Sequence, residues 1–590
     1  KADQMSKIKN WLLGKNVRAM FGAAALAIAL ISFYMYNLID KLFAIGFVIA
    51  ALVLIYGIYL HYKLGKIALL NQLRKQWGNP LKIERDFKKI KDAYKTMRLN
   101  GQDCYQLDDQ TWSDLHMDDI YSLADRNLTS CGQVLLYNVL RKPIIKNTAW
   151  EKRKEAIHVF HKNVDFREKL QMILHKLGKQ DKEQVEILLT GELPIPPKFW
   201  VLLEIIPYIG LVSAIAAFVL FRLGKINLFV FPLLLILNLS IVNGIIRNRL
   251  KKGILPYFTS IGYLGKIINT AKQIKDLSVN GLDRQLENIS KAYDKCKVIN
   301  NKTYALSLEQ VDPFGLYSYV NILFLIDIRM FFRVIRDIDK LREDLISLYT
   351  LIGELDAFCS IASFRDSYPS LSEPVLLIQG IKYEVEDMVH PLITNPVANS
   401  ISLEDKGALI TGSNMSGKST FLRSAAVNAV LAQTICGTFT SKYRASFFKV
   451  TTSISQNDNL MGGKSYYLAE AEALLDMLNG IQADIPSLCI IDEIFRGTNS
   501  KERIAAASQL LKYMSKLNAM TIVATHDIEL TNIVKGKYDI YYFDENVGEQ
   551  GLIFDYNLKS GVSPTTNAIK ILDYLGYPKE IVENSNAMIQ

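Results

Sequence analysis

The stretch Gly412-Ser413-Asn414-Met415-Ser416-Gly417-Lys418-Ser419-Thr420 has the residue types and spacing needed to hold a chain of phosphates. Its glycines let successive backbone N–H groups curl round an anion. A helix starting at the motif adds the positive end of its dipole. Lys418 is expected on the β- and γ-phosphates of ATP, and the Ser419 hydroxyl on Mg2+. Leu488-Cys-Ile-Ile-Asp492-Glu493 supplies the complement. Its apolar run brings Asp492 to the end of a buried strand beside the metal. Glu493 then stands where a base or water-positioning group is needed. Thr521-Ile-Val-Ala-Thr-His526 reads as another buried strand, ending in a histidine suited to sensing the γ-phosphate.

Between these motifs lies Gly462-Gly-Lys-Ser465, followed by a helical run from Tyr466 to Leu478. Alone, Ser465 is an ordinary helix cap. In this slot it matches the signature position of ATP-binding cassettes, which meets the γ-phosphate of a partner subunit. Gly497-Thr-Asn-Ser500 fits the loop that crosses the same interface. Two composite sites in a homodimer are the expectation.

The elements that must position these residues follow from patterning. Short β-like runs fill Leu376 to Leu409, and strands alternate with helices from Ala408 on. That is the sign of an α/β nucleotide-binding domain. Residues 80–190 and 253–370 read as helical, with a long amphipathic pattern from Asp327 to Leu351.

Two apolar stretches near the N-terminus, Met20 to Tyr36 and Leu42 to Tyr62, each approach the length that crosses ~30 Å of hydrocarbon. A short turn joins them. Lys7, Lys9, Lys15 and Arg18 precede them, and Lys63, Lys66, Arg74 and Lys75 follow, so both ends are expected in the cytoplasm. A second pair, Phe199 to Phe221 and Ile226 to Ile246, has a basic exit through Arg247, Arg249, Lys251 and Lys252. Glu204, near the start of this pair, is expected to snorkel to the interface. The reading is a multi-pass membrane protein with four spans in two hairpins, embedded in a lipid bilayer. Its fold class is an α/β ATPase domain plus an all-α core and lever domain. The six cysteines form no CxxC pair, and no HExxH occurs, so reduced core thiols and no zinc site are expected. The net charge of +10 suits nucleic acid or an anionic membrane and does not choose between them.

At its nucleotide motifs the chain resembles the MutS family of mismatch-repair ATPases. Gly412 to Thr420, with Asn414, looks like the family's P-loop. Asp492-Glu-Ile-Phe-Arg-Gly-Thr-Asn-Ser500 looks like its Walker B segment and the loop after it. Ala524-Thr-His526-Asp-Ile-Glu-Leu530 looks like its switch. Gly462 to Glu470 resembles its signature, with tyrosines where the family has Thr-Phe. Upstream, Asp125-Arg-Asn-Leu-Thr-Ser-Cys-Gly132 resembles the opening of the lever, and His390-Pro391-Leu392 the entry to the ATPase. The resemblance spans residues 110–165 and 320–585. It implies an ATP- and Mg2+-dependent homodimer, double-stranded DNA as a partner, and C-terminal dimerisation helices within Phe554 to Glu583. Tyr556 falls near a residue that stacks on adenine in the family. Pro396 falls where the family has its other stacking aromatic.

The departures are as informative. No segment ahead of the lever resembles the mismatch-reading domain. Phe166-Arg-Glu168 has the spelling of its Phe-x-Glu wedge but lies inside the lever. The second apolar pair sits where the family has its DNA clamp. The expected organisation is an N-terminal hairpin (1–75), a first core and lever segment (76–198), a second hairpin (199–252), a second core and lever segment (253–375), the ATPase (376–550) and a C-terminal helical dimerisation segment (551–590). Two rival readings remain: a membrane scaffold or signalling switch that cycles ATP without DNA, and half of an ABC transporter. Against the transporter, only a short stretch separates the P-loop from Gly462, and no LSGGQ-like run occurs.

Overall fold

The computed structural model describes residues 16–80, 85–97, 105–180, 184–198, 200–227, 229–230, 233, 237, 248–307, 324–413, 416–454, 466–496, 498–548, 551–562 and 576–589. The N-terminal apolar stretches form helices α1 (Asn16–Leu38) and α2 (Ile45–Gln76), joined through a 3-10 turn at Lys41–Ala44. Asp40 caps that turn by accepting from Leu42 N at 2.8 Å. Small residues let the two helices approach closely. A Cβ on Gly46 would strike Ser32 Oγ, and one on Gly57 would strike the Phe21 side chain. The outward faces of both helices are apolar and exposed, Leu30, Phe33, Leu52 and Ile55 among them.

The second helix runs unbroken past its apolar stretch to Gln76, and its last turns pack on the helical body. Leu73 is buried there. Arg74 pairs with Glu168 through two hydrogen bonds, of 2.6 and 2.8 Å. Trp77 donates its indole N–H to Asp366 at 2.6 Å, and the Arg167 guanidinium lies 3.9 Å from the centre of its ring. Phe166 is buried in the same core. The wedge-like spelling Phe166-Arg-Glu168 is thus occupied in holding this junction.

The helical body continues through α3 (Phe87–Thr96), α4 (Asp109–Asp114), α5 (Met117–Ala124), α6 (Ser130–Arg141), α7 (Asn147–Lys162), α8 (Val164–Leu177) and α9 (Val185–Thr190). Next come α10 (Trp200–Arg222), α11 (Asn248–Lys275), α12 (Asp283–Ser307), α13 (Ile326–Lys340) and α14 (Arg342–Asp366). The pattern from Asp327 to Leu351 is two helices, broken at Leu341. α14 is the spine of the core. Leu348, Tyr349, Ile352, Leu355 and Ile361 are fully buried along it. Its Asp356 accepts from Thr129 N at 2.8 Å and Thr129 Oγ1 at 2.6 Å, tying α14 to the start of α6.

α10 spans the third expected membrane stretch, while Ile226 to Ile246 lies mostly outside the described residues. Glu204 on α10 does not snorkel alone. It pairs with Arg329 at 2.6 Å and Arg333 at 2.7 Å on α13. Two guanidiniums compensate the carboxylate where the helix meets the body. Among the described residues, three helices are long and apolar enough to cross a membrane: Ala19–Leu38, Lys41–Gln76 and Arg342–Asp366.

The α/β region comprises β1 (Val375–Leu377), β2 (Lys382–Met388), β3 (Asn399–Glu404), β4 (Gly407–Thr411), α15 (Lys418–Thr434), β5 (Lys442–Ser446), β6 (Lys449–Ser453), α16 (Tyr466–Asn479), β7 (Ser487–Asp492), α17 (Ser500–Met514), β8 (Ala519–Thr525), α18 (Glu529–Ile533), β9 (Tyr538–Gly548) and β10 (Gly551–Ser560), with α19 (Lys579–Ile589) at the end. A six-stranded sheet has the order β10-β9-β4-β8-β7-β6, and β1-β5-β2-β3 form a second sheet. β4, β7 and β8 are buried almost throughout, as parallel strands covered on both faces must be.

The expectation of a purely helical segment over 551–590 fails at its start. Gly551–Ser560 is an antiparallel edge strand on β9. Leu552, Phe554, Tyr556 and Leu558 alternate with other residues at the period of a strand, and glycines flank the turn. α19 is helical, and residues 563–575 lie outside the described residues. The described cysteines are all free and buried, and no metal-binding cluster of His, Cys, Asp and Glu occurs among the described residues.

Candidate nucleotide site

β4 delivers the P-loop and α15 begins at Lys418, as the motif requires. Gly417 has φ of 106°, a left-handed conformation that glycine adopts freely. A Cβ there would also press on the Tyr556 ring at 3.2 Å. Ser416 Oγ donates to Ser413 O at 2.8 Å and shapes the loop from within. Lys418 is nearly buried, with Nζ donating to the carbonyls of Gly412 at 2.8 Å and Ser413 at 2.6 Å. Its ammonium therefore sits inside the curl of the loop. Asn414 and Met415 lie outside the described residues.

β7 ends at Asp492, and the Ser419 hydroxyl donates to Asp492 Oδ2. A hydroxyl and a carboxylate in contact at the head of the P-loop helix form a hard oxygen pair of the kind Mg2+ prefers. Glu493 follows in a left-handed conformation, φ 64°, held by its N–H to Ala524 O at 2.8 Å. A non-glycine residue in that region needs its surroundings to fix it. Glu493 Oε1 meets His526 Nε2 at 2.8 Å, and its Oε2 meets Arg496 Nε at 2.6 Å. The His526 hydrogen bond, with Arg496 and Lys418 adding positive charge, holds the Glu493 carboxyl below the usual carboxylate range against the opposing effect of burial. The group stays ionised at neutral pH, as a water-orienting carboxylate must.

A cavity of about 880 Å³ connects these groups. Lys418, Ser419, Thr420, Asp492 and Glu493 line it, and so do Pro396, Asn399 and Tyr556. Tyr556 stacks on Phe554 at 5.8 Å between ring centres, and its carbonyl accepts from Asn399 Nδ2 at 2.9 Å. The half-exposed phenol ring lies against Gly417 of the phosphate loop and lines the cavity beside it. An aromatic ring next to the phosphate loop is placed to meet the rest of a nucleotide whose phosphates the loop holds. His526 touches Glu493 and does not itself line the cavity. Ser465 and Gly497 lie outside the described residues.

Two contributors escape a reading of the sequence. Glu470, buried in the first turns of α16, accepts from Phe495 N at 2.6 Å and Arg496 N at 2.9 Å. It fixes the strained loop that carries Glu493. Burial raises its carboxyl pKa, and the two backbone N–H groups oppose that rise. His390, beside the cavity, is pushed down to about 4 by burial and by the nearby Arg423 and His116, so it is neutral at pH 7. Its buried Nε2 has no hydrogen-bond partner among the described residues. In the sequence both residues stand inside segments that resemble the family, Gly462 to Glu470 and His390-Pro391-Leu392, and neither segment assigns them these contacts.

Residues 408–590 match the family of MutS domain V. It is to the MutS family that this part of the chain is similar. Its relatives include the "DNA mismatch repair protein MutS" of Natronomonas pharaonis, 29% identical over 249 residues, covering 40% of this chain and 28% of that protein. A protein of the same name from Thermus thermophilus is 31% identical over 249 residues, 40% of this chain and 29% of its own. That from Leptospira interrogans is 31% identical over 280 residues, 44% and 32%. The chain thus spans under a third of the length of these curated relatives.

Proposed function

We propose that this protein is a membrane-anchored MutS-like ATPase that hydrolyses Mg2+·ATP as a homodimer and works as an ATP-driven clamp on double-stranded DNA. The observation that carries the reading is the single cavity joining Lys418, Ser419, Asp492 and Glu493 to Tyr556, with His526 hydrogen-bonded to Glu493. Lys418 neutralises the β- and γ-phosphates. Ser419 and Asp492 hold Mg2+, which polarises the phosphoryl group when bound. Glu493 orients the attacking water, and His526 ties Glu493 to the state of the γ-phosphate. Ser465 reaches the partner's nucleotide across the dimer. The α1–α2 hairpin anchors the chain in the bilayer with the ATPase and lever in the cytoplasm, and the α10 region forms a second hairpin in place of a clamp tip. Support for anchoring comes from the exposed apolar faces of α1 and α2. Support for DNA comes from the relatives, whose printed names place them in mismatch repair.

One observation favours a second reading, a membrane switch that cycles ATP without DNA. The basic stretch Lys88-Lys89-Ile-Lys91 has two of its lysines engaged within the chain. Lys89 Nζ donates to Gln180 O at 2.6 Å, and Lys91 pairs with Asp118 at 2.7 Å. The discriminating experiment titrates the detergent-solubilised protein with homoduplex and mismatched DNA at two salt concentrations while following phosphate release. Salt-sensitive binding that changes turnover supports the clamp. Turnover indifferent to both DNAs at both salts discards it in favour of the switch.

A further inference from the structure

One buried acidic residue outside the nucleotide motifs meets two walls of the nucleotide cavity, one through its carboxylate and one through its backbone carbonyl. Asp114 closes the short helix α4, well upstream of the ATPase in sequence, and is 1% exposed. Its Oδ2 accepts from Thr452 Oγ1 at 2.7 Å and from Ile454 N at 2.9 Å, where β6 ends. Its Oδ1 accepts from Gln110 Nε2 at 2.9 Å. Its backbone carbonyl accepts from Arg423 Nε at 2.9 Å, on the P-loop helix α15. Ile454 and Arg423 both line the nucleotide cavity. They stand on different elements, and Asp114 meets both. A neighbouring bond reinforces the strand side: Thr452 N donates to Thr111 Oγ1 at 3.1 Å, and Asp108 in turn holds Thr111.

A buried carboxylate is stable only when its oxygens are satisfied, so the acceptor cannot be lost without displacing its donors. Loss of the carboxylate frees Thr452 and Ile454 and with them one side of the cavity, and a shift of the α4 backbone moves Arg423 as well. The same strand carries a second bridge to the helical body that does not touch the cavity: Tyr105 OH donates to Val450 O at 2.5 Å. The two bridges differ in what they hold. Tyr105 fastens the strand; Asp114 fastens the strand end that faces nucleotide.

We infer that Asp114 is a positioning residue through which the helical body sets the affinity of the nucleotide cavity. The inference rests on the proposed ATP site and deepens it by naming what regulates it. Any change in the body that shifts α4 would be felt as a change in nucleotide binding and not in the chemical step, because Asp114 bonds to Thr452, Ile454 and Arg423, whereas Glu493 is held by His526, Arg496 and the Ala524 carbonyl.

The test measures the KM for ATP, kcat and the affinity for a fluorescent ATP analogue in the detergent-solubilised protein. Losing hydrogen bonds to a charged acceptor predicts that Asp114→Ala weakens nucleotide binding and raises KM about tenfold or more, while kcat at saturating ATP stays within about threefold. Asp114→Asn keeps an oxygen for Thr452 and Ile454, with Gln110 turning its amide, and restores KM to within about threefold of wild type. Tyr105→Phe leaves KM and kcat unchanged. Should Asp114→Ala fail to fold, Thr452→Val removes one donor at constant volume and is expected to raise KM severalfold with kcat preserved. The inference is overturned if KM is unmoved in Asp114→Ala, or in Thr452→Val where that variant stands in. It is equally overturned if Tyr105→Phe shifts KM as much, or if kcat falls while KM holds. A wild-type protein that binds no nucleotide overturns the reading of the site itself, a result distinct from all of these.

Discussion

Helices α2 and α14 are both long and apolar, and their surroundings are opposite. The apolar window of Lys41–Gln76 has a mean hydropathy of 2.5 and is 11% buried; that of Arg342–Asp366 has 1.5 and is 72% buried. Both are long enough to cross a membrane. α14 instead meets partners on every side, down to Gly353, where a Cβ would crowd Cys131 O at 2.8 Å. Among the described residues, α2 packs on α1 over its apolar half and leaves Leu52 and Ile55 exposed there, and it finds the body in its last turns, through Leu73, Arg74 and the adjoining Trp77. Apolar length nominates a span, and packing decides whether the protein itself or another apolar phase covers it.

The comparison can be broken most sharply in α14. Leu355→Ala empties a fully buried position and is expected to cost about 2–5 kcal/mol of stability, read as a lowered denaturation midpoint. The matching change in α2, Leu52→Ala, removes an exposed side chain and should leave that midpoint where it was. Equal losses from the two would erase the distinction drawn here.

Leu52→Arg probes the other side. A charge at the centre of a span disfavours insertion by about 2.5–3.5 kcal/mol, so this variant should open the α1–α2 hairpin to aqueous labelling, while the second hairpin keeps the protein in the membrane and the ATPase rate is kept. Unchanged labelling would mean that α2 is not embedded.

pH sharpens the account of α14. Burial raises the Asp356 carboxyl from its ordinary 3.8 to about 6, despite the hydrogen bonds it accepts from Leu128 and Thr129. The folded state therefore holds a proton that the unfolded state has lost between those values. Stability should fall as pH rises from 3.8 to about 6, and Asp356→Asn should flatten that part of the profile. A wild-type profile that rises through this window in step with the Asn variant would contradict the assignment.

The smallest effect belongs to the junction. Arg74 is largely exposed, so Arg74→Ala should lower the midpoint only slightly. Its effect should instead appear as faster proteolysis near residues 76–80, where α2 leaves the body.

How far the sequence discloses the molecule differs along the same lines. The nucleotide motifs are legible because each is contiguous: a loop, a strand end and a helix start carry their chemistry in neighbouring residues. Glu470 and Asp114 are illegible because their roles exist only after distant segments pack, 25 residues away for Phe495 and 340 for Ile454. β10 is hidden by a resemblance that makes its segment helical, although its alternation of apolar residues is visible. The pairing of Glu204 cannot be read locally because its partners, Arg329 and Arg333, lie more than a hundred residues downstream. The break at Leu341 has no glycine or proline to announce it.

The most direct test of the central claim is Mg2+-dependent phosphate release by wild type and Glu493→Gln, with ATP-dependent dimerisation followed by light scattering. The glutamine keeps the size of the side chain and removes the charge that orients water. Turnover should fall by about 100-fold or more while ATP binding persists and the ATP-bound dimer accumulates. A variant that releases phosphate at the wild-type rate would contradict the account.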